Sequence, residues 1–361
     1  MDLRGFVCLT LFLLVAPSFG MGQSPLVDPQ AAQREVQTGV LALQQGQYAE
    51  AAQHFRQAEK LAGTASAEIN AGIAISELQL GHFDIVRERE SRVLETISGD
   101  HKRAEAHNII GMSWLRESAQ TTESAGMLHS AEDSFRLALQ FDPWFDSAYF
   151  NLGETLLREN RDAEAAQAFR KFIEAAAKDP AQNTGFPLKS QGPAPKYSVT
   201  DSEGRVFSSE AMIGRFVLLD FWATWCPPCI RALPVMRELA HCFPPTQLTV
   251  ISLDEETSDD AVWRRFIAEH KMDWTQVRDK GAETYFRFPL SAAPDLSLPR
   301  YVFLDRSNAV LHVYSGTDRL GLVVGQIVKT VDQAKTGVPQ AHAPSDTQIH
   351  GDSGFTAIPP Q

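Results

Sequence analysis

Cysteine is scarce in this chain. The four cysteines among its 361 residues are Cys8, Cys226, Cys229 and Cys242. A zinc site needs four ligands, and no second Cys-x-x-Cys and no His-x-x-His accompanies the Cys226–Cys229 pair. The sequence therefore argues against a zinc site, and we predict neither a metal nor a cofactor.

Positive charge and long apolar runs are also lacking. Thirty-three basic residues stand against 45 acidic ones, giving a net charge of −12. This balance argues against nucleic acid or an anionic membrane as a partner, because both attract basic surfaces. The apolar run from Phe6 to Ala16 is shorter than the roughly 20 residues that span a bilayer.

That short run has the features of a secretory signal peptide. Arg4 precedes it, and Ser18-Phe19-Gly20 offers small residues for cleavage. We predict a signal peptide over residues 1–20 and a periplasmic or secreted protein, in a compartment where disulfides persist. The alternative is an uncleaved membrane anchor.

The sequence Trp225-Cys226-Pro227-Pro228-Cys229 follows the apolar run 216–222 and precedes a helical pattern over 228–242. A cysteine at a helix N-terminus is stabilised as the thiolate, which is the attacking form in disulfide exchange. The alternatives are half a zinc site or an inert structural disulfide, and the motif favours redox chemistry. Cys242 has no evident partner, and we predict a buried free thiol rather than a resolving or intermolecular cysteine.

Small and aromatic residues recur with a period of about 35 residues between positions 32 and 180. The first copy has Gly39, Gly46, Tyr48, Ala51, Phe55 and Ala58. A degenerate second copy, over 67–101, keeps Ala74, Gly81, Phe83 and Val86. The third copy has Gly111, Ala131, Phe135 and Ala138, and the fourth has Gly153, Ala165 and Phe169. The third copy carries an insertion at 118–128. The pattern resembles the tetratricopeptide repeat, which implies a helical solenoid that binds a protein partner, or one that serves as a spacer.

Two changes of composition divide the rest of the chain. Residues 181–195 contain three prolines and two glycines, and we predict a linker over 181–192 after a repeat domain over 32–180. Residues 336–361 are polar and predict a disordered tail. Between them, 193–335 predicts strands at about 216–222, 247–253, 301–305 and 309–314, with helices at about 228–242, 259–270 and 318–335.

Residues 193–335 resemble the TlpA/ResA-type thiol–disulfide oxidoreductases of the thioredoxin superfamily. The resemblance rests on Pro193-Ala-Pro195, on Gly214 through Cys229, and on Leu298-Pro299-Arg-Tyr-Val-Phe-Leu-Asp305. It implies a multidomain protein, an all-α tetratricopeptide-repeat solenoid followed by an α/β thioredoxin-like domain. Its partners would be protein thiol or disulfide substrates and an upstream thiol–disulfide electron donor.

Chemistry and resemblance together assign roles around the motif. We expect Cys226 to be exposed and to attack, and Cys229 to be less accessible and to resolve the mixed disulfide. Pro227 and Pro228 remove backbone donors near the sulfurs and so tune thiolate stability. Trp225 belongs to a rim that partners touch, whereas Trp222 belongs to the core.

Asp220 is an acid within an otherwise apolar strand. TlpA/ResA-type proteins often have a neutral residue there, whereas thioredoxin has a buried aspartate six residues before its first cysteine. Burial raises the pKa of a carboxyl, so we predict that Asp220 carries the proton of Cys229. The alternative is a partly solvated acid at a strand edge. We interpret Asp254, Glu255 and Glu256 as a solvated loop.

Pro299 matches the family's cis-proline, beside which a substrate strand pairs with the preceding backbone. Pro289 and Pro294 compete for this role, but a β run follows Pro299 directly. Leu298 is bulkier than the family's usual residue at this position. We therefore predict that Leu298 and Pro299 contact the substrate.

The sequence predicts an extracytoplasmic thiol–disulfide oxidoreductase, acting as a reductant, whose repeats recruit protein partners. One alternative is a binding scaffold whose redox domain is structural. Another is a peroxide-reducing redoxin, but Phe221 stands where peroxiredoxins have proline.

Overall fold

The computed structural model describes residues 27–179, 188–255, 259–288, 297–316 and 320–335. The predicted signal peptide, most of the predicted linker and the predicted tail lie outside these residues. An all-α region is followed by an α/β region, as the sequence predicts. None of the helices within the described ranges is long and apolar enough to cross a membrane.

Residues 27–179 form eight α-helices, and consecutive helices pack on each other. They are α1 (Pro29–Gln44), α2 (Tyr48–Ala62), α3 (Ala67–Leu80), α4 (Phe83–Thr96), α5 (Asp100–Glu117), α6 (Ala125–Phe141), α7 (Asp146–Arg158) and α8 (Asp162–Lys178). Local signals set their ends: Asp28 caps α1, and Gly81 ends α3 at φ 80°. The insertion at 118–128 forms a 3₁₀ turn at Ser118–Gln120 and the start of α6.

The repeat glycines allow close helix crossings. A Cβ added to Gly111 would lie 2.6 Å from the buried ring of Phe135, and one added to Gly153 would lie 2.7 Å from that of Phe169. A side chain at either position would overlap the ring. The small residues of the repeat therefore allow neighbouring helices to pack closely.

The α/β region contains a five-stranded sheet with the order β5-β4-β3-β6-β7. Its elements are β1 (Ser198–Thr200), β2 (Val206–Ser208), β3 (Phe216–Trp222), α9 (Pro227–Cys242), β4 (Leu248–Asp254), α10 (Asp260–Glu269), β5 (Thr275–Arg278), β6 (Arg300–Leu304), β7 (Val310–Ser315) and α11 (Leu320–Lys335). β3 is central, parallel to β4 and antiparallel to β6. The four predicted strands and three predicted helices are confirmed. The hairpin β1–β2 and the edge strand β5 were not predicted, since all three are short.

The last repeat packs directly on the α/β region. α8 contacts α9 and α11, and its Phe172 belongs to the same buried apolar cluster as Met236 and Ile327. Ion pairs also cross this boundary, among them Arg231 with Glu154, where both N···O distances are 2.6 Å, Arg170 with Glu238 at 2.7 Å, and Lys271 with Asp162. The two regions therefore form one continuous core.

Candidate active site

The Cys-Pro-Pro-Cys sequence lies at the junction between β3 and α9. Cys226 is the N-cap of α9, its Sγ accepts a hydrogen bond from the Cys229 amide at 3.3 Å, and Pro227 is the first helical residue. Proline suits that position because the first amides of a helix have no partner within it. Cys226 and Cys229 form a disulfide. When the pair is reduced, the positive end of the helix favours the Cys226 thiolate.

The expectation that Cys226 is exposed is wrong for this oxidised state. Its exposed fraction is 4%, against 2% for Cys229. Both sulfur-bearing side chains pack in a cluster with Trp222, Leu233 and Met272. The two cysteines therefore barely differ in accessibility.

The accessible surface beside the disulfide comes from its sequence neighbours. Trp225 is 56% exposed and Pro227 is also exposed, whereas Pro228 is half-buried. Trp222 is buried, as predicted for a core residue. A partner that approaches the disulfide therefore meets an indole and a proline ring first.

The peptide bond between Leu298 and Pro299 is cis, as the resemblance implies. Leu298 is half-buried and packs against the cluster that contains both cysteines. The Tyr285 hydroxyl fixes the preceding residue, because it accepts from the Ser297 amide at 2.7 Å and donates to the Ser297 carbonyl at 3.1 Å. The competing Pro289 and Pro294 lie outside the described residues.

Asp220 is buried in the middle of β3. Side chains alternate along a strand, and its neighbours on the same face are Leu218, in the core with α9, and Trp222, beside the disulfide. The Asp220 Oδ2 accepts from the Ser252 hydroxyl at 2.7 Å, and that hydroxyl accepts from the Trp274 indole at 2.8 Å. Burial raises the pKa of Asp220 to about 7. The carboxyl therefore changes protonation near neutral pH.

Tyr301 stands opposite Asp220 on β6. Its hydroxyl is buried and has no hydrogen-bond partner among the residues that the structure describes. Burial, and secondarily the charge of Asp220, raise the pKa of Tyr301. Sequence reasoning missed Tyr301 and Ser252. Only the register between strands, which the sequence does not give, places them beside Asp220.

The interpretation of Asp254 and Glu255 as a solvated loop is wrong, and Glu256 lies outside the described residues. Asp254 ends β4 and is fully buried, while Glu255 is 7% exposed and donates its amide to the Trp222 carbonyl at 2.9 Å. Burial raises the pKa of Glu255 to about 9, with smaller contributions from the charges of Asp279 and Asp254. The ends of β3 and β4 meet because the strands are parallel, so a carboxyl with a raised pKa also lies at the edge that carries the disulfide.

Arg300 and Asp279 complete this edge. Arg300 directly follows the cis-proline, donates to the Phe288 carbonyl at 3.1 Å and lies 3.8 Å above the Tyr285 ring. The Asp279 carboxylate accepts from the amides of Thr284 and Tyr285 at 2.8–3.0 Å. These contacts hold residues 284–288 beside Arg300, the residue that follows the cis-proline. The acidic run after β4 was the only sequence signal for this cluster.

Cys242 is exposed and unpaired, so the prediction of a buried thiol is wrong. Neighbouring atoms still desolvate its sulfur partly, which raises the pKa of the thiol. It lies at the far end of α9, about 20 Å along the helix from Cys229 at 1.5 Å per residue. Its position separates it from the exchange chemistry at the N-terminus.

Comparison with known proteins adds independent evidence. The thiol–disulfide oxidoreductase ResA of Bacillus thuringiensis subsp. konkukian (strain 97-27) is 30% identical over 123 residues, covering 34% of this chain and 68% of ResA. The chain belongs to the ResA family of thiol–disulfide oxidoreductases. ResA of Geobacillus thermodenitrificans (strain NG80-2) is 34% identical over 124 residues, again covering 34% of this chain and 68% of the relative.

Family profiles agree with the two regions. The AhpC/TSA family profile matches residues 191–313, and a tetratricopeptide-repeat profile matches residues 146–179, which include α7 and α8. Among solved structures, a putative thiol:disulfide interchange protein DsbE from Chlorobium tepidum has a TM-score of 0.35 at 22% identity. The match spans 99% of that structure and 40% of this chain. Membership of the ResA family makes the chain an oxidoreductase with a thioredoxin-like domain.

Proposed function

We propose that this ResA-family member works outside the cytosol, reduces disulfides in protein substrates through Cys226 and Cys229, and recruits those proteins with its repeats. The observation that carries the proposal is the Cys226–Cys229 disulfide at the N-terminus of α9, which packs beside Leu298. The signal-like residues 1–20 support the location. Membership of the ResA family and the buried Asp220 favour a reductant over an oxidant.

The first step is attack by the Cys226 thiolate on a substrate disulfide. One substrate sulfur bonds to Cys226, and the other leaves as a thiolate. Exposed Trp225 and Pro227 would contact the substrate, with half-buried Pro228 beside them. No described residue hydrogen-bonds the Leu298 backbone, which leaves it available to pair with a substrate strand next to Pro299.

The second step resolves the mixed disulfide. Asp220, when ionised, takes the proton of the Cys229 thiol, and the resulting thiolate attacks the Cys226 sulfur. The bond between Cys226 and the substrate breaks, and the second substrate thiolate leaves. The substrate has gained two electrons, and the Cys226–Cys229 disulfide has formed. An upstream thiol–disulfide donor must then reduce this disulfide before the next cycle.

Recruitment by the repeats would act through proximity. Because α8 packs on α9 and α11, a partner bound to the solenoid is held at a limited distance from the disulfide. Such tethering raises the effective concentration of the substrate without any new contact at the active site. A scaffold with an inert redox domain would share the binding but not the exchange.

A redox titration tests the direction of transfer. Exchange proteins span about −270 to −120 mV, with reductants at the low end. For the full chain we expect a two-electron midpoint near the low end of this range. The titration is carried out in glutathione or dithiothreitol buffers, and the fluorescence of Trp222 and Trp225 reports the redox state. The double variant Cys226→Ser/Cys229→Ser is the control and should show no transition. A midpoint near the high end would make the protein an oxidant.

Trapping tests recruitment. In Cys229→Ser the mixed disulfide on Cys226 cannot be resolved, so partners should accumulate covalently. The matched comparison is residues 143–361 with the same substitution, a chain that keeps α7 and α8 over the α/β region. We expect the full chain to capture fewer kinds of protein, each in greater yield, when non-reducing gels and mass spectrometry are used to identify them.

Two outcomes of the trapping experiment would contradict the proposal. Identical sets of proteins from both chains would show that the first three repeats do not recruit substrates. Non-covalent partners without any trapped protein would favour the binding scaffold.

A further inference from the structure

Three of the four repeats fill the space between their helices with a phenylalanine. The buried rings belong to Phe55, Phe135 and Phe169. Each lies four residues after a buried alanine of its own helix: Ala51, Ala131 and Ala165. Each ring also packs on a glycine of the preceding helix, where an added Cβ would lie 3.0 Å or less from it: Gly39, Gly111 and Gly153.

The second repeat departs from this pattern. One 35-residue period after Ala51 and Phe55 stand Val86 and Glu90, both buried in α4. A carboxylate side chain is narrower than a phenyl ring. A cavity of about 410 Å³ lies between α3, α4 and α5 and extends to α1 and α2, and Glu90 is part of its wall. Most of that wall is apolar and includes Val40, Leu43, Ile75, Leu78, Val93 and Ile109.

Glu90 has an unmet hydrogen-bonding group. Its exposed fraction is 3%, and its Oε1 is buried without a partner in the part of the chain that the structure describes. Its neighbour Arg89 is engaged with Glu59 at 2.9 Å. Burial raises the pKa of Glu90 to about 8, with Arg89 lowering it and Glu105 raising it to a lesser degree. An unpaired acid in such a wall is unfavourable unless a donor reaches it.

The mouth of the cavity is polar. Exposed His101 and Lys102 line it together with half-buried Glu68 and Glu105. His101 is already paired with Asp142, at 2.6 Å. A ligand that enters therefore passes charged groups of both signs before it reaches apolar walls and a single buried carboxyl.

We propose that this cavity binds a lysine or arginine side chain of a partner protein, with an apolar neighbour of that residue packed against its walls. A basic side chain joins an apolar stem to a cationic head, which matches an apolar cavity with one acid at its wall. This inference rests on the recruitment role proposed above and names the chemistry that recruitment would recognise.

Calorimetry on the oxidised full chain tests the site without any redox turnover. The probes are a blocked tripeptide with lysine between two leucines, the same peptide with glutamine in place of lysine, n-hexylammonium and 1-hexanol. We expect the lysine peptide and hexylammonium to bind, and their neutral counterparts to bind at least about tenfold more weakly, since hydrogen bonds to charged groups are stronger than those between neutral groups.

Substitutions at position 90 locate the binding. Glu90→Gln keeps the shape of the side chain and should weaken the lysine peptide at least about tenfold, whereas Glu50→Gln at an exposed site should change nothing. Glu90→Leu should also abolish binding and, by removing a desolvated acid, raise the melting temperature by about 5 °C. That rise would show that loss of binding does not come from unfolding.

The pH dependence provides a further measurement. Because the cation needs an ionised Glu90, affinity should rise about tenfold per pH unit between pH 6 and 7 and level off above pH 8. His101 loses its charge over part of the same range, and Lys102, Glu68 and Glu105 also face the mouth. Glu90→Gln must therefore remove the dependence if Glu90 is its source.

Several results would overturn the inference. If the lysine peptide does not bind, or if it binds Glu90→Gln as tightly as the unmodified chain, the cavity is not a site for a basic side chain. Hexylammonium binding without the lysine peptide would assign the cavity to a small amine rather than a protein partner. Reductase activity on a generic protein disulfide, measured in parallel, separates the two proposals: it should persist in Glu90→Gln, and its absence in the unmodified chain would refute the proposed function instead.

Discussion

Replacing Cys226 with serine should lower disulfide reductase activity on a generic protein substrate by at least about 100-fold, because Cys226 is the N-cap of α9, whereas Cys229 lies inside the first turn and is expected to resolve rather than to attack. The assay is turbidity or fluorescence on reduction of a protein disulfide with a chemical reductant as donor. Serine has nearly the volume of cysteine, so the variant should fold normally.

Cys242→Ser is the matched control. Cys242 lies at the opposite end of the same helix, and its removal should leave activity nearly intact. Equal losses in both variants would mean that the third cysteine takes part in exchange, through a rearrangement of α9 or through a second molecule.

Asp220→Asn should slow exchange about tenfold to 100-fold at neutral pH. This loss is at or below the lower end of general-base effects, which are about 100-fold to 10,000-fold. If Asp220 accepts the proton of Cys229, activity should rise with pH as the carboxyl ionises, through its pKa of about 7. The asparagine variant should lack that limb of the pH–rate profile. An unchanged profile would exclude the proton transfer.

The same substitution should change stability with a definite sign. In the unfolded chain Asp220 ionises near pH 4, whereas the native carboxyl keeps its proton to about pH 7. The free energy of unfolding that protonated Asp220 contributes is fully present below pH 4 and is lost as pH rises to about 7. Asp220→Asn should therefore exceed the unmodified chain in stability by about 2–4 kcal/mol above pH 7, and by little at pH 4.

Urea unfolding at both pH values measures this difference. Asp100→Asn, whose side chain is 74% exposed in α5, is the control and should show almost no pH-dependent change. Equal stability of Asp220→Asn and the unmodified chain at pH 8 would mean that Asp220 is solvated or paired in solution.

The sequence predicted the parts of the site that depend on local pattern. The strand before Cys226, the helix after it and the cis bond before Pro299 each follow from a short stretch of chain. Burial of Cys226 could not be predicted, because it depends on side chains that fold back on the disulfide from elsewhere, such as Met272. The same holds for Asp254, which looks like part of a polar loop until β3 and β4 are aligned.

The repeats show the same division. Their period, their glycines and their phenylalanines are legible in the sequence, and so is the break in the pattern after Val86. The cavity at Glu90 could not be predicted from this break, because it arises from the spacing of the helices around it. The position of Cys242 depends on how tightly α11 and α8 cover the end of α9, which no local pattern records.

The packing of α8 on α9 and α11 also bears on how the solenoid ends. A repeat array leaves an apolar face at each terminus and needs a polar cap to stay in solution. In this chain the α/β domain is the cap at the C-terminal end, since Phe172 and Ile173 of α8 share a core with Met236 and Ile327. The array therefore cannot gain a repeat at this end, and a cut between the two regions would expose both halves of one hydrophobic surface.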